Sequence, residues 1–220
     1  MAEVISDKQR QLNKALHENA EQFGSRDDGG GVAGKLPAAL QRMHEMGICN
    51  SVLDYGTGKG RLLKRLQNKI TAPIKISGYD PAVEEFSTKP EKPVDILTCL
   101  DVLEHIEMDS IDAVLDDIKN LTKQFCYLVI DLQPAVKKLA DGRNAHILLA
   151  PMDWWVCKLS QRFSCVSSFP IYHQSGVPQK IVFACTQKTK ILPLMYGFII
   201  KLKIHDFTMA GGILDGMMRK

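Results

Sequence analysis

Residues Val52–Gly60 read VLDYGTGKG, with glycines at every second position from Gly56, between an apolar lead-in and the basic, Leu-rich run RLLKRLQNKI (61–70). A strand that ends in closely spaced glycines and gives way to a helix brings backbone against a bound ligand, because glycine has no Cβ to hold the ligand off. Two familiar nucleotide loops do not fit. The dinucleotide pattern GxGxxG needs a third glycine where Arg61 stands, and the phosphate loop GxxxxGK[ST] is absent. What stands is Asp54-x-Gly56-x-Gly58-x-Gly60, with a second acid, Asp80 in SGYDPA (77–82), twenty residues beyond Gly60. A carboxylate at the end of the next strand is placed to accept both hydroxyls of an adenosine ribose.

Outward from this loop the chain alternates strand and helix. SVLDYG (51–56), IKISGYD (74–80), VDILTCL (94–100) and CYLVIDL (126–132) read as strands. RLLKRLQNKI, DSIDAVLDDIKNLTKQF (109–125) and MDWWVCKLSQRF (152–163) read as helices. SCVSSFPIY (164–172) and KIVFACTQ (180–187) close the pattern as a neighbouring antiparallel pair. The expected fold is α/β: a three-layer sandwich around a Rossmann-like, mostly parallel sheet with a C-terminal antiparallel strand pair. Upstream, Ser6 and Asp7 cap a helix running to about Phe23, with Leu12, Leu16 and Phe23 on one face. The Gly-rich linker GSRDDGGGVAGK (24–35) follows, and Pro37 suits the first turn of a second helix that turns Leu40, Met43 and Ile48 inward. We therefore divide the chain into 1–47, N-terminal helices and linker covering the site; 48–187, the ligand-binding domain; and 188–220, a basic-apolar extension.

The motifs resemble those of class I S-adenosylmethionine-dependent methyltransferases. The acid followed by GxGxG is matched by Asp54, Tyr55, Gly56, Gly58 and Gly60, and the second-strand acid by Asp80, followed by Pro81. The fourth-motif segment is matched by VDILTCLDVLEHI (94–106). A closer likeness is to small bacterial and phage methyltransferases carrying LDYGxGKG, GYDPA, DVLEHI and DGRNAH. The resemblance covers roughly 48–186 and implies S-adenosyl-L-methionine as cofactor, with Asp54 orienting its amino-acid half and Cys99, Leu100 and Asp101 beside it. One departure stands out. Only fourteen residues separate Asp80 from Asp95, too few for the helix and third strand the family usually fits there. STKPEKP (87–93) implies that this strand is trimmed or lost.

Methyl transfer from a sulfonium is an in-line displacement, so the protein positions the acceptor and removes a proton where the acceptor is a hydroxyl. Candidate bases lie on loops at the same sheet edge: His105 in LEHIE and His146 in ADGRNAHILL. Arg143 and Asn144 on the second loop, and Trp154 at the start of the next helix, are candidate substrate contacts; Tyr172 and His173 are placed to close the site. Glu104 and His105 alone make too few ligands for a metal, so none is expected. The segment after the third strand lacks the Asn/Asp-Pro-Pro-aromatic motif of amino-methylating nucleic-acid enzymes. No Pro-Cys dipeptide occurs, as cytosine C5 methylation requires. The expected function is methyl transfer to an oxygen or nitrogen of a small-molecule acceptor. The alternatives are a nucleic-acid methyltransferase and a non-catalytic cofactor-binding module.

Composition is that of a soluble globular protein, with 45% hydrophobic and 24% charged residues over 220 positions and a net charge of +3. So small a charge gives no argument for a nucleic-acid partner, and none is expected. The charge is concentrated in the tail, where residues 186–220 hold six Lys/Arg against two Asp. That tail could rest on an anionic membrane surface through 188–205, form a contact between copies, bind an acidic substrate, or pack to complete the domain. Its apolar run ILPLMYGFII (191–200) is about half a membrane span, so no transmembrane helix is expected. Six scattered cysteines without a CxxC pair, and an N-terminus without an apolar leader, point to a reduced, cytoplasmic setting.

Overall fold

The computed structural model describes residues 4–19, 31–173 and 175–202. In chain order the elements are α1 (Asp7–Asn19), α2 (Gly31–Glu45), β1 (Ser51–Tyr55), α3 (Arg61–Lys69), β2 (Lys75–Tyr79), β3 (Val94–Leu100), α4 (Ile111–Leu121), β4 (Thr122–Asp131), α5 (Met152–Ser160), β5 (Cys165–Tyr172), β6 (Pro178–Thr186) and α6 (Leu192–Leu202). The sheet runs β2-β1-β3-β4-β6-β5; the first four strands are parallel and β6 runs antiparallel to both β4 and β5. This is the expected architecture. Every residue of β3 is buried, which suits a strand covered on both faces.

Successive strand side chains point to opposite faces, so each central strand feeds two cores. Val52, Ile96, Phe125, Tyr127 and Val182 meet α2, α3 and α6 through Leu36, Leu40, Met43, Leu66, Met195 and Phe198. Leu53, Leu97, Cys99, Leu128 and Phe183 meet α4 and α5 through Val114, Leu115, Ile118, Trp155 and Leu159. The apolar positions Ile111, Val114, Leu115, Ile118 and Leu121 of α4 recur at helical spacing.

Several sequence expectations shift. No strand lies between β2 and β3; a single 3₁₀ turn, Glu84–Phe86, occupies the interval. The family's third strand is therefore absent, and β2 becomes a sheet edge. The helix expected to reach Phe125 stops at Leu121, and Thr122, extended at φ −98° and ψ 117°, starts β4 without a loop. β-Branched Thr122 and the buried Phe125 fit a strand better than another helical turn. Helix α2 begins at Gly31, inside the expected linker, so Pro37 sits mid-helix rather than in the first turn. Burial of Ala33 and Leu36 ahead of Pro37 extends the helix across the proline. The rest of the linker and Phe23 lie outside the described residues. Leu12 and Leu16 are half-buried, whereas the inward face of α1 carries Gln9 and Asn13, joined by a 2.9 Å hydrogen bond.

Residues 192–202 form α6, which packs into the first core. Phe198 is fully buried with its ring edge-on to Phe125 and Tyr127, at centroid distances of 5.1 and 5.6 Å. Tyr196 and Ile200 remain exposed. Among the described residues no helix is long and apolar enough to cross a membrane. All six cysteines are free thiols, and four of them are buried. Burial pushes the Cys49 thiol up to about 12.

Asp95 fastens the start of three strands. It accepts the Asn50 N–H at 2.8 Å and the Ser51 hydroxyl at 3.2 Å, and pairs with Lys123 at 3.1 Å. Burial works to raise its carboxyl, but the Asn50 N–H and the Lys123 and Ser51 contacts outweigh it and hold the group below the ordinary carboxylate range. A depressed carboxyl stabilises the fold above its unfolded value of about 3.9 and loses that contribution as pH falls through the lower folded value. Asp95→Asn should therefore unfold more easily in urea at pH 7 and show a shallower loss of stability between about pH 5 and 3 than the parent. Phe198→Ala should cost about 3–5 kcal/mol in the same assay; a loss near zero would make α6 an appendage rather than part of the core.

Candidate active site

The parallel strands β1, β2, β3 and β4 all end at one sheet edge, the place where ligands bind in open α/β sheets. A cavity of about 540 Å³ opens there. Asp54, Tyr55, Gly56 and Gly58 line it from the β1 loop, and Asp80 and Pro81 from the end of β2. Leu100, Asp101, His105 and Ile106 line it after β3, and Asp131, Gln133 and His146 after β4. One space thus contains both expected halves of the site.

The glycine loop is held by hydrogen bonds. The N–H groups of Gly56 and Thr57 both donate to Tyr79 O, at 2.7 and 3.1 Å. Gly58 N–H donates to Asp80 Oδ2 at 2.9 Å, while Asp80 Oδ1 takes the Ala82 N–H at 2.9 Å. Gly56, Gly58 and Gly60 have φ of +76°, +54° and +68°, in the left-handed region that glycine enters without strain. A Cβ at Gly56 would collide with Val102, and one at Gly60 would come within 2.7 Å of Phe86. Asp54 is buried and accepts the hydroxyls of Thr57 at 2.8 Å and Thr98 at 3.2 Å. A carboxylate offers about four acceptor positions, so Asp80, with its two backbone bonds, retains capacity for a ligand.

Asp101, just past β3, holds φ +47°, a conformation uncommon outside glycine although Asp tolerates it better than most residues. Its carboxylate pairs with Lys180 at 2.9 Å, and Lys180 reaches Asp131 at 3.3 Å. One cation from β6 thereby offsets two acids at the cavity. Burial pushes the Tyr127 hydroxyl well above its ordinary value, with Asp101 adding to the effect.

Between the loops after β3 and β4 the two expected histidines face each other, their rings edge-on with centroids 4.8 Å apart. Nδ1 of His105 contacts Ala145 O at 2.7 Å and Nδ1 of His146 contacts Gln133 O at 2.5 Å. A carbonyl only accepts, so both Nδ1 atoms carry a hydrogen, and in the neutral ring the lone pair then sits on Nε2. Asn144 fixes the loop bearing His146: its side chain exchanges two hydrogen bonds with the backbone of Ala135 and accepts the His146 N–H, all at 2.8–2.9 Å.

Not every candidate comes to the cavity. Cys99 is buried in the second core, and Gly60 supports the loop from beneath its Phe86 contact. Neither is among the lining residues. Arg143 lies outside the lining and bonds Asp141 at 2.8 Å and Gln9 of α1 at 3.1 Å. Trp154 packs edge-on against Trp155 and beneath Lys158. Tyr172 and His173 sit in the β5–β6 hairpin, also away from the lining.

Sequence reasoning missed other lining residues: Val4, Ile5, Asn13 and His17 in and before α1, and Gln133–Lys137 after β4. The latter follow a parallel strand, a position that by itself predicts a place at the edge. Burial, the larger effect, lowers the His17 pKa together with Lys59, against the opposing pull of Asp80. Of the two N-terminal helices, α1 borders the cavity while α2 belongs to the first core.

A family model described as a methyltransferase domain matches residues 5–170. No curated protein matches the chain. Among solved structures, the fold is similar to a DhpI–SAH complex (15% identity, TM-score 0.53, covering 84% of this chain and 98% of that one). It is also similar to magnesium protoporphyrin IX methyltransferase from Synechocystis PCC 6803 with bound SAH (12%, TM-score 0.56, 81% and 99%). A third likeness is to 1,6-didemethyltoxoflavin-N1-methyltransferase from Burkholderia thailandensis (15%, TM-score 0.51, 80% and 85%). With most of its length matched by the family model and its sheet shared with these enzymes, the chain belongs to the methyltransferase domain family.

Proposed function

We propose that this methyltransferase moves a methyl group from S-adenosylmethionine to an oxygen or nitrogen of a small molecule held between the glycine loop and the His105–His146 pair. The observation that carries this reading is that residues expected to bind the donor and residues expected to meet the acceptor line one cavity, whose 540 Å³ lies in the range of small-molecule sites. When bound, the donor supplies a methyl group on a positively charged sulfur. Buried Asp54 complements the ammonium of its amino-acid half, Asp80 receives the ribose hydroxyls, and the backbone of Gly56 and Gly58 allows close approach. Structural neighbours whose names specify 1,6-didemethyltoxoflavin and magnesium protoporphyrin IX are in keeping with a small-molecule acceptor.

At the other end, Val4, Ile5, Ile106 and Pro134 offer apolar walls to the acceptor, and the Nε2 atoms of His105 and His146 offer proton-accepting groups. The carbonyls of Ala145 and Gln133 fix the rings in the tautomer that such a role requires. Asn144 acts on the acceptor through the loop it holds. We further propose that α1, latched by Arg143 to Gln9 and by Ser6 to Glu107, caps the site.

Two measurements test this reading. In calorimetry, S-adenosylhomocysteine should bind the parent, and Asp80→Ala should weaken it by about 10- to 100-fold, the worth of a lost hydrogen bond to a charged group. Unchanged affinity would remove Asp80 from the cofactor site. With methyl-labelled donor and fractionated metabolites, lipids and nucleic acids, label should enter the metabolite fraction. His146→Ala should then slow turnover by about 10²–10⁴-fold while leaving S-adenosylhomocysteine affinity intact. Label in nucleic acid would contradict the small-molecule reading, and no label in any fraction would favour a binding module.

A further inference from the structure

Two ligands were too few for a metal in the sequence, but the fold brings a third. One donor atom from each of Glu104, His105 and His146 lies within 4.8 Å of the others. Glu104 and His105 belong to the 3₁₀ turn after β3, and His146 to the loop after β4. We propose that these three residues hold one divalent cation of the zinc, iron(II) or manganese(II) class at the acceptor end of the cavity. The proposal rests on the methyltransferase reading and deepens it: with both Nε2 atoms bound to the ion, the cation takes over from the rings the activation of the acceptor and selects it.

Three features support the site. The donor set is two neutral imidazoles and one carboxylate, a combination that suits first-row divalent ions and leaves coordination positions open. Each imidazole donates its other ring N–H to a backbone carbonyl, Ala145 O and Gln133 O, which is how ligating histidines are usually oriented. Glu104 is fully buried, and its Oε1 accepts the Asp131 N–H at 3.2 Å, so the carboxylate is fixed as well. A cation with bonds of about 2.0–2.2 Å in tetrahedral or facial octahedral geometry holds neighbouring ligand atoms roughly 2.8–3.6 Å apart. The donor atoms, now within 4.8 Å of one another, therefore close by roughly 1–2 Å at the widest pair when the ion binds.

Both imidazoles line the cavity, so the open positions face the acceptor. The ligand class that fills them is a hydroxyl compound with a second oxygen beside the first, chelating through both. The cation favours the ionised hydroxyl, which releases its proton to water. The oxygen then forms the new bond to the methyl carbon, and the electron pair of the broken carbon–sulfur bond stays on sulfur. Oxygen, rather than nitrogen, becomes the favoured methylated atom.

The test uses full-length protein stripped with chelator, then titrated with MnCl2 and ZnSO4 by calorimetry and with CoCl2 by visible absorption. One ion per chain is expected, and the cobalt form should show d–d bands. Glu104→Gln and His146→Ala should each weaken ion binding by at least about tenfold, with S-adenosylhomocysteine affinity and thermal unfolding retained. No ion bound, or equal binding by parent and both variants, would overturn the cation site. If S-adenosylhomocysteine still binds in that case, the histidines act as a bare proton acceptor and the methyltransferase reading stands. Loss of S-adenosylhomocysteine binding by the parent would instead remove the reading on which the cation site rests.

Discussion

The site depends on one carboxylate. Asp80, at the end of β2, takes the Gly58 N–H on one oxygen and the Ala82 N–H on the other, tying the loop after β1 to the neighbouring strand. Tyr79 O takes two further N–H groups from the same loop. These bonds hold three glycines in left-handed conformations and keep backbone, rather than side chains, along the cavity. The residue expected to receive the ribose is therefore also the residue that shapes the loop around the cofactor. Losing it would disturb both at once, because the two backbone N–H groups and the proposed ribose contact share one carboxylate.

The end of the cavity proposed for the acceptor is built differently. Its two loops follow β3 and β4, adjacent parallel strands, and each supplies a histidine whose ring is locked by a backbone carbonyl of the loop after β4. The Glu104 side chain then joins the turn to the last residue of β4 through the Asp131 N–H. Neither histidine is held by packing alone. Polar groups oriented before a ligand arrives need no reorganisation when it binds, which is the advantage of building them on the ends of a rigid sheet.

Much of this was legible in the sequence where the physics is local. VDILTCL could only be a strand buried on both faces, and β3 spans those residues. The shortened interval between Asp80 and Asp95 announced the missing strand. Features that depend on distant partners were not legible. Lys180 reaches Asp101 and Asp131 because β6 runs antiparallel, which brings its first residues to the carboxyl edge of the parallel strands. The inward face of α1 is polar because it meets the cavity and Arg143 rather than the core, against the apolar pattern that Leu12 and Leu16 suggested. Glu104 and His105 gained a third companion only when the fold placed His146 beside them. Arg143 and Trp154, singled out for residue type, found partners on the protein's own surface.

The central claim is that one cavity at the sheet edge holds donor and acceptor together. A crystal structure with S-adenosylhomocysteine bound tests it most directly. The account predicts the ribose hydroxyls on Asp80, the ammonium toward Asp54, and the sulfur open toward His105 and His146. A ribose bound to another residue, or a sulfur turned away from the two histidines, would contradict it.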